Sequence, residues 1–369
     1  MRRSYCLLFP FLLLLVFAAS AQDSSAPPAS PPQALAPAKP APPAAPVGSD
    51  RQITLDVQVT DKSGAPVLGL RQEDFALLDD AQPQTLAAFQ AVNARTPSTN
   101  NPPVEVILLV DNVNVGPQAV AYERNEVKQY LLRNGGELEQ PLSLIFFNDT
   151  NTQLQNAPSQ DGKALAALYD KYETGLRFIN RSQGFYGAED RLDLSLQALS
   201  SIASYAQPRP GRKLVVWISP GWPLLSGPNV QLSKRDQQGI FNSIVSLSAG
   251  LRLAGITLYA IDPLGLTDAG GSWISYYKEF LKGVPSPSRA QIGNLGLQVL
   301  AVQTGGEAFN SSNDLAGYIV KCVRDANSYY VLSFNSPPAD KPNEYHSLVV
   351  KVDKPGVTPR TRTGYYAQP

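Results

Sequence analysis

Val104-Glu105-Val106-Ile107-Leu108-Leu109-Val110-Asp111 is the stretch that decides the fold. Its near-continuous apolar run is the pattern of a strand covered on both faces, and such strands belong to parallel sheets. On its C-terminal side a helical segment follows from Pro117 to Arg133 and stops at Asn134-Gly135-Gly136. Leu142–Phe147, Lys213–Ile218 and Gly255–Ile261 repeat the buried-strand pattern, and Gly306–Phe309 reads as a short edge strand. Helical periodicity covers Lys163–Tyr172, Leu192–Tyr205, Lys234–Leu253, Ala290–Thr304 and Asp314–Ala326. Apolar strands alternating with helices imply right-handed crossovers, and so a doubly wound, mostly parallel α/β sheet over 104–326.

Both flanks of this core read as β structure. Ile53, Leu55, Val57 and Val59 alternate with Thr54, Asp56, Gln58 and Thr60, which makes a half-buried strand. Phe75–Leu78 and Thr85–Ala91 are further short strands, and Asn93–Pro103 is a polar, Pro-containing boundary. Beyond Asn327, strands are expected at Tyr329–Phe334, Tyr345–Val352 and Thr361–Tyr366. Three strands on each side are too few to be comfortable alone. The segments 50–92 and 327–369 are therefore expected to pair into one β-sandwich flanking the α/β domain; two separate β attachments are the alternative.

Arg2 and Arg3, the apolar run Leu7–Ala18 and Ala19-Ser20-Ala21 have the layout of a secretory signal peptide over 1–21. The run is shorter than the ~20 residues of a spanning helix, although an uncleaved anchor would use the same residues. The segment 22–49 is dominated by Pro and Ala and reads as an extended spacer. These features predict an exported protein, periplasmic or extracellular, with no stable membrane span after signal removal. Cys6 would leave with the signal, and Cys322, on a helical pattern with Leu315, Ile319 and Val323, reads as a buried thiol. With 31 basic against 31 acidic residues the chain lacks the basic footprint of a nucleic-acid binder. One histidine, His346, and one mature cysteine cannot build a zinc site. The Gly pairs 135–136, 270–271 and 305–306 match neither a phosphate loop nor a dinucleotide fingerprint.

The order strand, Asp111, long helix, strand, helices, and a strand ending in Trp217-Ile218-Ser219 resembles a von Willebrand factor A domain. More narrowly, the chain is similar to exported A-domain-related proteins abundant in acidobacterial genomes. The matching pieces include Val59-Thr60-Asp61-Lys62-Ser63-Gly64, Leu70-Arg71-Gln72-Glu73-Asp74-Phe75 and Leu109-Val110-Asp111-Asn112-Val113-Asn114. Pro210–Ser219, Ser328–Leu332 and Gly364-Tyr365-Tyr366 complete them. The resemblance implies a binding module, and in many A-domains a metal-ion-dependent adhesion site. That site uses a D-x-S-x-S run, a Thr and a second Asp around Mg²⁺ or Ca²⁺, hard ions that take oxygen ligands. Here Val113 and Val115 fall at the serine positions, Pro220 where the last Asp is expected, and Asp193 near the Thr position.

A standard site is thus absent, and no cofactor or metal is expected. If Mg²⁺ or Ca²⁺ binds, Asp111 and Asp193 are the candidate ligands, with Asn114 and Ser219 beside them. The alternative for these residues is structural: Asp111 accepts from loop amides and Asp193 caps a helix starting nearby. Phe185, Tyr186 and Trp222 are expected in loops gathering around Asp111, with Trp273, Tyr276 and Tyr277 from the long 262–288 loop joining them; exposed, such aromatics would anchor an interface, and the alternative is that they cover the core under the long loops. Ser219 as a hydrolase nucleophile would need a base, and His346 is remote in sequence. The function read from these residues is non-catalytic recognition of a protein, peptide or cell-surface polymer by loops at the carboxyl end of the sheet. Two alternatives are cation-dependent adhesion through Asp111 and Asp193, and an exported hydrolase using them as paired carboxylates.

Overall fold

In the computed structural model the described residues are 51–93, 104–148, 152–155, 157–172, 185–222, 232–263, 265 and 276–369. The signal, the Pro/Ala spacer and Trp273 lie outside them. In chain order the first strands are β1 (Gln52–Asp61), β2 (Phe75–Asp79), β3 (Gln82–Gln84) and β4 (Ala88–Asn93). The α/β part runs through β5 (Glu105–Asp111), α1 (Pro117–Leu132), β6 (Glu137–Phe147), β7 (Thr152–Leu154), β8 (Ser159–Asp161), α2 (Gly162–Tyr172) and α3 (Phe185–Ala206). It continues with β9 (Lys213–Ile218), α4 (Lys234–Leu253), β10 (Ile256–Ile261), α5 (Leu297–Gln303), β11 (Ala308–Phe309) and α6 (Leu315–Arg324). Last come β12 (Ser328–Asn335), β13 (Glu344–Val352), β14 (Val357–Arg360) and β15 (Gly364–Ala367).

The central sheet has the order β11-β10-β9-β5-β6-β7, with β8 also on β6. Its pairs from β11 to β6 are parallel, and only β7 and β8 join antiparallel. Every residue of β5, β9 and β10 is buried, as the unbroken apolar runs require. Alternate residues feed two cores. Ile107, Leu109, Val215, Trp217 and Leu258 face α3, α4 and α5, whereas Val106, Leu108, Val216 and Tyr259 face α1, α2 and α6. Ser233 opens α4 with a reciprocal cap: its Oγ accepts from the Asp236 amide at 3.2 Å, and the Asp236 carboxylate accepts from the Ser233 amide at 3.0 Å.

Two flanking antiparallel sheets are built from both ends of the described chain, in the orders β14-β1-β12-β4 and β15-β13-β2-β3. Pairing of β1 with β12 sets Leu55 opposite Leu332, and pairing of β2 with β13 sets Leu77 opposite Val350. Leu55, Val57 and Leu332 of one sheet share a core with Leu77, Leu348 and Tyr365 of the other. Among the described residues no helix is long and apolar enough to cross a membrane.

Two expected elements differ in form. The helix expected over Ala290–Thr304 is a pair of 3-10 turns, Pro287–Arg289 and Ile292–Leu295, followed by α5. Gly293 sits under the Phe280 ring, where a Cβ would meet ring carbons at 2.5 Å, so close packing rather than helical propensity shapes this stretch. The strand expected over Thr361–Tyr366 is instead two strands, β14 and β15, separated by Thr361–Thr363.

Candidate functional site

Strand order reverses where β5 lies between β6 and β9, and the crevice outside the carboxyl ends of these strands is the place where open α/β sheets bind ligands. Asp111 closes β5 there, and Ser219 follows β9. Asp111 is fully buried. Its Oδ1 accepts from the amides of Val113 and Asn114 at 2.8 and 2.9 Å. Its Oδ2 accepts from Asn114 Nδ2 at 2.8 Å and from the indole Nε1 of Trp217 at 3.0 Å. Four N–H donors therefore occupy the two oxygens of the carboxyl group.

Asn114 extends the network. Its Nδ2 also donates to Ser195 Oγ at 3.0 Å, and Ser195 donates on to the Arg191 carbonyl at 2.7 Å. Asn114 thereby ties the loop after β5 to α3. Its own Oδ1 is buried with no hydrogen-bond partner among the described residues. Glu123 of α1 is a second unusual group, only 1% exposed, with neither carboxyl oxygen hydrogen-bonded among the described residues. Burial first, and then the charge of Asp111, push its pKa well above the ordinary carboxyl range. The neutral acid is accordingly favoured over the carboxylate at this position, since an unpaired buried charge is far more costly than a neutral acid.

Several expected residues take other places. Asp193 is exposed and stands two turns inside α3, so it neither joins Asp111 nor caps the helix, which begins at Phe185. The inward position is Ser195, in phase with Leu192, Leu199 and Ile202. Phe185 and Tyr186 open α3 rather than lie in a loop, and their side chains are outside the described residues. Trp222 is a core residue, 4% exposed. Its Nε1 donates to the Leu295 carbonyl at 3.1 Å and its ring meets Trp217 edge-on at 5.6 Å, which removes it from any surface. Ser219 is fully buried, and its Oγ accepts from the Gly221 amide at 3.0 Å, closing a turn. Tyr276 and Tyr277 are half-buried, and Phe280 and Val284 of the same loop are in the core.

Around Asp111 the side chains of Val113 and Val115 offer no oxygen, Pro220 follows Ser219, and both Asp111 oxygens accept from N–H donors. Paired carboxylates in an open cleft are likewise not formed, because Asp111 is covered and Asp193 points elsewhere on α3. His346 does not serve Ser219; its Nδ1 pairs with Asp79 Oδ1 at 3.0 Å in a flanking sheet, where Tyr365 donates to Asp79 Oδ2 at 2.7 Å. Trp217, Ser195 and Glu123 are the members that sequence reasoning missed. The helical phase of Leu192 and Leu199 would have pointed to Ser195, but nothing marked Glu123 among the other polar residues of α1.

No family model and no curated protein matches the chain. Among solved structures, an aerotolerance-related membrane protein from Bacteroides fragilis is similar at 13% identity and a TM-score of 0.33, over 61% of this chain and 98% of that one. The manganese-loaded TRAP protein of Plasmodium vivax is similar at 11% identity and 0.32, over 74% and 96%. The PilB minor pilin of Streptococcus sanguinis is similar at 13% identity and 0.33, and the chain spans under two thirds of it, 64%. Likenesses this loose carry no argument about function, and the resemblance to acidobacterial proteins rests on sequence pieces alone.

Proposed function

We propose that the chain is an exported, von Willebrand factor A-like recognition module that binds a protein, peptide or cell-surface polymer through loops at the carboxyl end of the central sheet. It does so without a bridging cation and without catalysis. The observation that carries this reading is the Asp111 carboxylate, fully buried and held by four N–H donors. In that state it braces the loop after β5 instead of presenting an open coordination position. The second reading, cation-dependent adhesion, is favoured by the orphaned oxygens of Glu123 and Asn114, which a cation could satisfy in place of the expected Asp193.

One experiment separates them. The purified protein is tested for retention on whole cells and isolated envelopes in chelator and in Mg²⁺, alongside calorimetric titration with Mg²⁺, Ca²⁺ and Mn²⁺ on wild type and Asp111→Ala. Retention unchanged by chelator, with no saturable metal heat, is the expected result. Retention lost in chelator and restored by Mg²⁺ would transfer the function to a cation site, and no retention under either condition would sink the surface-binding reading.

A further inference from the structure

At the opposite end of the central sheet, where the amino ends of β9 and β10 meet the flanking strands β1, β4 and β12, lies a cleft of about 360 Å³. Six residues of β9 at ~3.3 Å each put it roughly 20 Å from Asp111. Three arginines line it, Arg212, Arg252 and Arg362, against a single acid, Asp56. With all four ionised, the wall carries a charge of 3 − 1 = +2.

Only Arg212 is accounted for by the protein. Its Nε lies 3.4 Å from Asp56 Oδ2, its Nη1 donates to the Asp325 carbonyl at 2.9 Å, and its guanidinium stacks over the Tyr329 ring at 4.7 Å. Arg362 is 8% exposed, yet its one hydrogen bond among the described residues is a long contact from Nη2 to the Ile256 carbonyl at 3.5 Å. The side chain of Arg252, in the last turn of α4, makes neither a hydrogen bond nor an ion pair among the described residues. Burial first, and then the neighbouring charge of Arg252, bring the Arg362 pKa down to about 10, with Asp56 opposing. Arg362 is covered, with the cation Arg252 as well as the acid Asp56 among its charged neighbours, an expensive arrangement, and the guanidinium forks of Arg252 and Arg362 line one cavity. Such forks match the geometry of phosphate and carboxylate oxygens.

We propose that this cleft binds a small dianionic molecule, its charged head held between Arg252 and Arg362. The +2 wall sets the head-group charge. Leu55, Val92 and Ile256 add an apolar side for a short organic body, and the volume lies at the small end of ligand-sized cavities. This site shares no residue with the carboxyl-end crevice and stands independently of the recognition reading.

The test uses the full chain, with calorimetry and thermal melting in inorganic phosphate and in succinate, against chloride at equal ionic strength. Saturable binding is expected, weakened at least about tenfold in Arg362→Gln and in Arg252→Gln. Without ligand, Arg362→Gln should melt no lower than wild type, since it relieves charge crowding; Arg252→Lys, half-exposed, keeps the charge but loses the fork and should also bind more weakly. Phosphate tighter than succinate assigns the head group to phosphate esters, and the reverse to dicarboxylates. No stabilisation beyond chloride by either probe, or wild-type affinity in both glutamine variants, overturns the proposal.

Discussion

Replacing Glu123 with glutamine should raise stability at neutral pH and flatten its pH dependence, because the acid is buried in α1 without a partner for either oxygen among the described residues. Its folded pKa lies well above the ordinary value through burial and the Asp111 charge, whereas in the unfolded chain it returns to about 4.3. Between the two values the folded state keeps a proton that the unfolded state has released. Stability from this group is therefore fully present below the unfolded pKa and is lost as pH rises toward the folded one. The limiting slope is about 1.4 kcal/mol per pH unit. Glutamine has nearly the same shape and no proton to lose. Urea unfolding of both proteins at pH values of about 5, 6 and 7 gives the difference directly, since every other titrating group is common to both. Wild type should lose ground to Glu123→Gln by up to that slope at each step. Parallel profiles, or a glutamine variant less stable throughout, would mean that Glu123 is ionised and paired in the folded protein and would refute the reasoning.

Asp111→Ala should be destabilising at any pH, by about 3–5 kcal/mol, because four buried donors lose their acceptor at roughly 1–3 kcal/mol each while relief of Glu123 offsets part of the loss. Urea unfolding followed by tryptophan fluorescence reads this directly, since Trp217 is one of the four donors; a variant within about 1 kcal/mol of wild type would count against the bracing role. Cys322 lies fully buried in α6, and burial raises its thiol pKa well above the usual range, so a thiol reagent should leave it unmodified in the native protein and label it completely in urea, with the Cys322 peptide followed by mass spectrometry. Rapid native labelling would show that α6 opens.

Burial on both faces made the central sheet legible. Lys213–Ile218 and Lys234–Leu253 have the bounds that their patterns predict, because an unbroken apolar run and a polar–apolar period of 3.6 have few competing readings. Strand β6 begins at Glu137, five residues before the apolar run, because its early residues pair with β8 while Leu138 already enters the core. The candidate site was legible only at its backbone. Asp111 was visible from its place after a buried strand, but its partners come from β9, the following loop and α3, separations that no local pattern encodes. Counting back from Ala198-Leu199 points to Asp193, but α3 starts at Phe185 and its buried face carries Leu192, Ser195 and Leu199, so Ser195 is the residue that meets Asn114. The loop aromatics allow two readings, an exposed surface or a cover over the core; Trp222 takes the second, held by its indole hydrogen bond.

The pairing of Gln52 with Asn335 and of Asn93 with Ser328 also dictates an order of assembly. An open chain would have to close a loop of more than two hundred residues before the first of these ladder bonds formed, and such closures are slow. Once the α/β core has folded, Glu105 and Arg324 belong to one rigid body, and the strands on either side of it meet across a short gap. The core is thus a template for the flanking sheets. Lesions in β5 or β9 should leave β1 and β12 as unmated strands prone to pair with other chains, while lesions in β1 should spare the core and fray only the periphery.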